Sequence, residues 1–153
     1  MKDLIKHLRD REYMSGVERD RNRIKATGEV FTPTPLVQEV LNALPVELFT
    51  DTTKTFIDPS CGDGQFLSEV IIRKMEHGST FEQALSTVYG IDLMPDNVDE
   101  CRRRLLCGME QYRHIVERNI VCGDGLAPAT YAQWETDADR AEARAGTLAA
   151  FWD

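Results

Sequence analysis

The sequence predicts an α/β domain in which a small parallel sheet is flanked by helices, and three observations predict it. Three short strand-like segments, TFID at 55–58, VYGID at 88–92 and NIVCGD at 119–124, alternate with stretches whose apolar residues recur at the helical period. Each strand-like segment ends in an aspartate: Asp58, Asp92 or Asp124. The length of 153 residues, set against roughly 150 per domain, fits one core, and 42% hydrophobic with 29% charged residues excludes wholesale disorder.

Residues 1–26 are polar and helix-compatible but lack a convincing apolar stripe, which predicts a peripheral basic helix or arm that adds little to the core. Pro33 and Pro35 mark a helix start, and Leu36, Val37, Val40, Leu41 and Leu44 give a helix at about 35–44 a buried face, closed by Pro45. After the first strand, PSCGDG is a run of turn residues, and QFLSEVIIRKMEHG returns to helical spacing through Phe66, Leu67, Val70, Ile71 and Met75. Gly78 ends that helix, and Ser79/Thr80 with Glu82/Gln83 have capping-box spacing for a brief helix at 81–87. Pro95 opens a helix at 95–108 with Val98, Cys101 and Leu105 inward, and a shorter piece at 111–117 precedes the third strand. Alternation of this kind implies βαβ units, whose crossovers are right-handed in nearly all cases. The tail at 127–153 is weaker in pattern and predicts a small-residue helix at 137–151.

Charge is unevenly spread. Residues 1–25 hold eight Lys/Arg against five acids, while the remainder holds ten against 21, a net of −11. Because nonspecific affinity for phosphates rests on Lys and Arg, DNA contact by this chain alone is expected to be weak, carried by the basic segment or by a partner chain. A solvated charged helix is the simpler reading of that segment. Cys61, Cys101, Cys107 and Cys122 form no C-x-x-C pair and His7, His77 and His114 stand in no ligand-like spacing to them, so packed, reduced thiols without metal are expected. No apolar run reaches the ~18 residues of a membrane span and the start lacks a signal-peptide core, so no membrane contact and a cytoplasmic location are expected.

Ligands of open parallel sheets bind beyond the carboxyl ends of the strands, where strand order reverses. Gly62 and Gly64 permit positive φ and close backbone approach, and the helix that follows offers unpaired amides to a phosphate or carboxylate. Asp92 suits a ribose diol, since a carboxylate accepts both hydroxyl hydrogens, and Asp124 suits the amine of an adenine. Together they describe an adenosine-containing ligand, although the glycine loop alone is equally a tight turn, and either aspartate alone is more often a strand-end cap. No Lys-Ser/Thr follows the glycines and no G-x-G-x-x-G is present, which lowers nucleoside triphosphates and NAD.

TGEVFTPTPLVQEVL at 27–41, DPSCGDGQFL at 58–67, YGIDL at 89–93 and VCGDGL at 121–126 resemble the successive cofactor motifs of adenine-specific DNA methyltransferases of restriction-modification systems. Their order matches the subgroup in which the GEVFTP-like motif precedes the glycine loop. The resemblance covers residues 27–126 and implies a minimal or truncated Rossmann-like fold that binds S-adenosylmethionine (SAM). It implies that Phe31, Thr32 and Pro33 border the methionine end of SAM, that Asp58, Ser60, Gly62 and Gly64 shape the pocket for its amino acid portion, that Asp92 takes the ribose and Asp124 the adenine amine. It supplies no catalytic residue. The family's Asn/Asp-Pro-Pro-aromatic motif, whose aromatic residue stacks on a flipped base, has no counterpart in the 29 residues after Asp124, where Pro128 is the single proline. Tyr131 or Trp134 could stack on a base, and Asp137 or Asp139 could polarise an amine, but exposed tail residues or aromatic packing are simpler readings. The expectation is therefore adenine-N6 methylation of DNA, alone or with a partner protein or second copy completing the site. The alternatives are a catalytically silent SAM-binding regulator or decoy, and a small SAM-consuming enzyme.

Overall fold

The computed structural model describes residues 1–10 and 32–135. Phe31, most of the basic arm, Asp137, Asp139 and the helix expected at 137–151 lie outside the described residues.

The fold is α/β. Strands β1 (Phe56–Asp58), β2 (Val88–Asp92) and β3 (Ile120–Cys122) form a parallel sheet in the order β1-β2-β3, with Ile57 opposite Tyr89 and Ile91 opposite Val121. The described strands run in sequence order, so the candidate site is defined by their carboxyl ends.

Helix α1 spans Lys2–Arg9, α2 Thr34–Asn42, α3 Glu47–Thr50, α4 Gln65–Glu76 and α5 Phe81–Ser86. Helix α6 spans Pro95–Leu106, α7 Arg113–Asn119 and α8 Pro128–Tyr131, with 3₁₀ turns at Glu110–Tyr112 and Ala132–Trp134. The capping box of α5 forms as its spacing implies: Thr80 Oγ1 accepts from Gln83 N–H at 3.1 Å while Gln83 Oε1 accepts from Thr80 N–H at 2.9 Å. Helix α6 stops two residues short of expectation because Cys107 turns left-handed at φ 53, the usual way a helix is ended.

Helix α4 lies at the centre, packed on β1, β2, α1, α2, α3 and α5, and is buried nearly all round. Its buried charged residues are paired: Glu69 accepts a two-pronged bond from Arg9, and Lys74 Nζ donates to Lys54 O and to Thr87 Oγ1. Strand alternation sends Gly90 of β2 toward Leu67 of α4, while Tyr89, on the opposite face, meets Trp134 edge-on at 5.1 Å.

Two expectations need correction. Helix α1 is no peripheral arm: Leu8 is fully buried in the main core, and Leu4 and Ile5 pack beside it. On α2 only Val37 and Leu41 are buried, whereas Leu36, Val40 and Leu44 face outward, because a nine-residue helix lying on α4 can turn only one narrow stripe inward. Among the described residues no helix is long and apolar enough to cross a membrane.

Candidate functional site

The loop after β1 bends at once. Asp58 Oδ1 accepts from Ser60 N–H at 3.0 Å, the side chain mimicking a backbone turn. Cys61 N–H then donates to Ile91 O at 2.8 Å and Gly62 N–H to Asp92 Oδ1 at 3.1 Å, so the loop is laid across the end of β2. Gly90 permits this approach, since an added Cβ there would stand 2.9 Å from Cys61 and Leu67. Gly64 has φ 94 and a Cβ on it would meet Cys101 Sγ at 2.9 Å, two independent reasons for glycine. As the N-cap of α4 it brings no side chain, so the amides of that helix's first turn have no side-chain cap.

Asp92, 8% exposed, is held from three directions. Oδ1 accepts from Gly62 N–H, and Oδ2 accepts from Met94 N–H and from Asn97 Nδ2, each at 3.0 Å. A carboxylate has about four acceptor directions, so one remains, on Oδ1. The carboxylate as held here has room for one further donor, not for both hydroxyls of a diol. Asn97, fully buried on the first turn of α6, carries no charge and repeats no motif, and sequence reasoning missed it.

Asp124 is exposed and caps its own turn, Oδ1 accepting from Leu126 N–H at 2.8 Å while its carbonyl accepts from Thr130 Oγ1. Gly125 then presses against the first loop: a Cβ added to it would fall 2.1 Å from Pro59 O. The loops after β1 and β3 therefore meet over the end of β2. Tyr131 Oη donates to Gly125 O at 2.6 Å, and its ring meets Trp134, whose Nε1 donates to Arg118 O at 2.7 Å. The Trp134 ring thus meets Tyr89 and Tyr131 edge-on, and both Tyr131 and Trp134 are half-buried.

A buried network ties this end of the sheet to the amino-terminal elements. Arg104, 1% exposed, donates to Leu8 O of α1 and to Gln65 Oε1 of α4, with Asp63 Oδ2 3.6 Å from its Nη1. Gln65 Nε2 in turn donates to Thr34 Oγ1. Half-buried Thr32 and exposed Pro33, the N-cap of α2, thereby sit on an element joined to the start of α4. Asp63 points into the core with the arginine, so of the two aspartates in DPSCGD only Asp58 faces the loop's outer side. Arg104 lies mid-helix with no motif around it, and nothing in the sequence signals it.

Burial pushes the Asp58 carboxyl above its ordinary range; the Ser60 amide opposes this and the Asp92 carboxylate adds to it. A hydrogen bond with Cys101, then burial, push the Cys61 thiol well up, which suits a packed thiol rather than a nucleophile. A hollow of about 410 Å³ bordered by His7, Asp99 and Arg102 lies elsewhere and includes none of the three strand-end aspartates. The structure thus gathers Asp58, Ser60, Gly62, Gly64, Asp92 and Asp124 at one end of the sheet, with Thr32 and Pro33 linked to them through Gln65. Comparison of the chain with family models, with curated proteins and with solved structures finds no match.

Proposed function

We propose that the chain is a SAM-binding domain of the adenine-specific DNA methyltransferase type, with a Rossmann-like fold. The observation that carries the reading is the pairing of opposite preferences at one loop. Asp58, held up by burial beside a second carboxylate, favours a cation, and the uncapped amino end of α4 a few residues on favours an anion. A free amino acid end, ammonium beside carboxylate, satisfies both, and SAM carries one. The residues fit the rest of the molecule: Asp92 offers one acceptor to a ribose hydroxyl, and exposed Asp124 offers its second oxygen to an adenine amine.

When bound, SAM supplies an electrophilic methyl group. The chain's own contribution is to bind and orient: Asp58 and the α4 amides fix the amino acid end, and Asp92 fixes the sugar. Displacement at a methyl carbon requires a nucleophile at about 3–3.5 Å on the axis of the breaking bond, which these residues do not supply. A second reading, a SAM-binding module without transfer, is favoured by the engagement of Trp134 with Tyr89 and Tyr131. Incubation with methyl-labelled SAM and unmethylated DNA, followed by separation of all labelled species, decides between them. Label in N6-methyladenine supports the transferase, intact SAM retained on the protein supports the module, and no retention at all removes both.

A further inference from the structure

We infer that Asn97 is the positioning residue of the ligand site: it fixes the Asp92 carboxylate so that a single acceptor direction on Oδ1 is presented to a ligand hydroxyl. This rests on the SAM-binding reading above. Asp92 Oδ2 is filled by Met94 N–H from its own turn and by Asn97 Nδ2 from the first turn of α6, both at 3.0 Å. Oδ1 holds the glycine loop through Gly62 N–H at 3.1 Å and keeps one direction open. The carboxylate is therefore a shared joint among β2, the loop and α6. Met94 and Gly62 contribute backbone amides that any sequence would supply, so Asn97 is the one side chain among these donors. Without its Nδ2 the carboxylate turns about its terminal torsion, and the ordering of that group is added to the cost of ligand binding. Two consequences differ from those of a simple helix cap. Asn97 should matter to a ligand only through Asp92, and Asp92 should read one hydroxyl of a ribose rather than two.

The test measures calorimetric affinity for SAM and for 5′-methylthioadenosine, which keeps the ribose and base but lacks the amino acid end, in wild type, Asn97→Ala, Asp92→Ala and the double variant. The expected result is a loss of about tenfold or more for both ligands in Asn97→Ala, and no further loss when Asn97→Ala is added to Asp92→Ala. The 2′-deoxy and 3′-deoxy forms of methylthioadenosine should separate, one binding wild type like the parent and the other as weakly as the parent binds Asp92→Ala. Wild-type binding with unchanged affinity in folded Asn97→Ala, an equal loss in the Asp92→Ala background, or equal loss for both deoxy probes overturns the inference and leaves the SAM reading standing. Absence of SAM binding by wild type overturns the reading itself and the inference with it. If Asn97→Ala does not fold, Asn97→Ser, which keeps a hydroxyl at this buried polar position, takes its place with the same outcomes.

Discussion

Asp58 sits in an environment uncomfortable for its charge, and that discomfort has a sign. Burial and the neighbouring Asp92 hold its carboxyl above the ordinary range, so the folded protein binds this proton more tightly than the unfolded chain does. Stability is therefore lost as pH rises from the ordinary carboxylate range toward the raised value. Asp58→Asn removes that loss while its side-chain oxygen still accepts from Ser60 N–H. Urea unfolding should show the variant more stable than wild type at about pH 7, with the difference vanishing by about pH 3. The same substitution should weaken SAM about tenfold or more, because it deletes the charged partner of the ammonium group. A gain in stability joined to a loss of affinity marks a residue kept for binding; a gain in both would place the amino acid end of the ligand elsewhere.

At the scale of elements, legibility followed the range of the interaction. The capping box at Thr80 and Gln83 and the strand Val88–Asp92 rest on neighbours within a few residues, and both stand where their spacing implied. The places of Asp58 and Asp92 were legible because a strand end locates them without knowledge of their partners. Asn97 and Arg104 were not, since what defines them is a contact made through space to Asp92 and to Leu8, Gln65 and Asp63. Helix α1 was misread for a different reason: Leu4, Ile5 and Leu8 do form a stripe at helical spacing, but one of only three residues set among Lys2, Lys6 and Arg9, and Leu8 is fully buried with its carbonyl holding Arg104. A side chain on a peripheral arm costs within about 0.5 kcal/mol when truncated, whereas a packed core leucine costs about 2–5 kcal/mol. Leu8→Ala should fall in the second range by chemical denaturation. It should also loosen the glycine loop, because Arg104 bridges Leu8 O to Gln65 at the start of α4. A change below 0.5 kcal/mol would return α1 to the periphery.

For the whole molecule the governing quantity is charge. Residues 26–153 carry a net −11, and the excess of cations is confined to the first 25 residues. At about 0.15 M salt, charges interact over roughly 8 Å, so the contribution of these cations to holding a phosphate is local and bounded by their own count. Each phosphate contact adds about −0.9 to the slope of log affinity against log salt. Wild type should therefore retain duplex DNA at low salt and release it as salt rises toward 0.15 M. Replacing Arg19, Arg21, Arg23 and Lys25 with serine should flatten that slope by at most about 3.6 and abolish the low-salt retention. SAM affinity should be unaffected, since the strand-end site proposed here is built from Asp58, Asp92, Asp124 and the α4 amides. Tight retention that survives both 0.15 M salt and the fourfold substitution would place the nucleic-acid surface on the acidic body, and then neutral hydrogen bonding rather than phosphate charge would have to hold it.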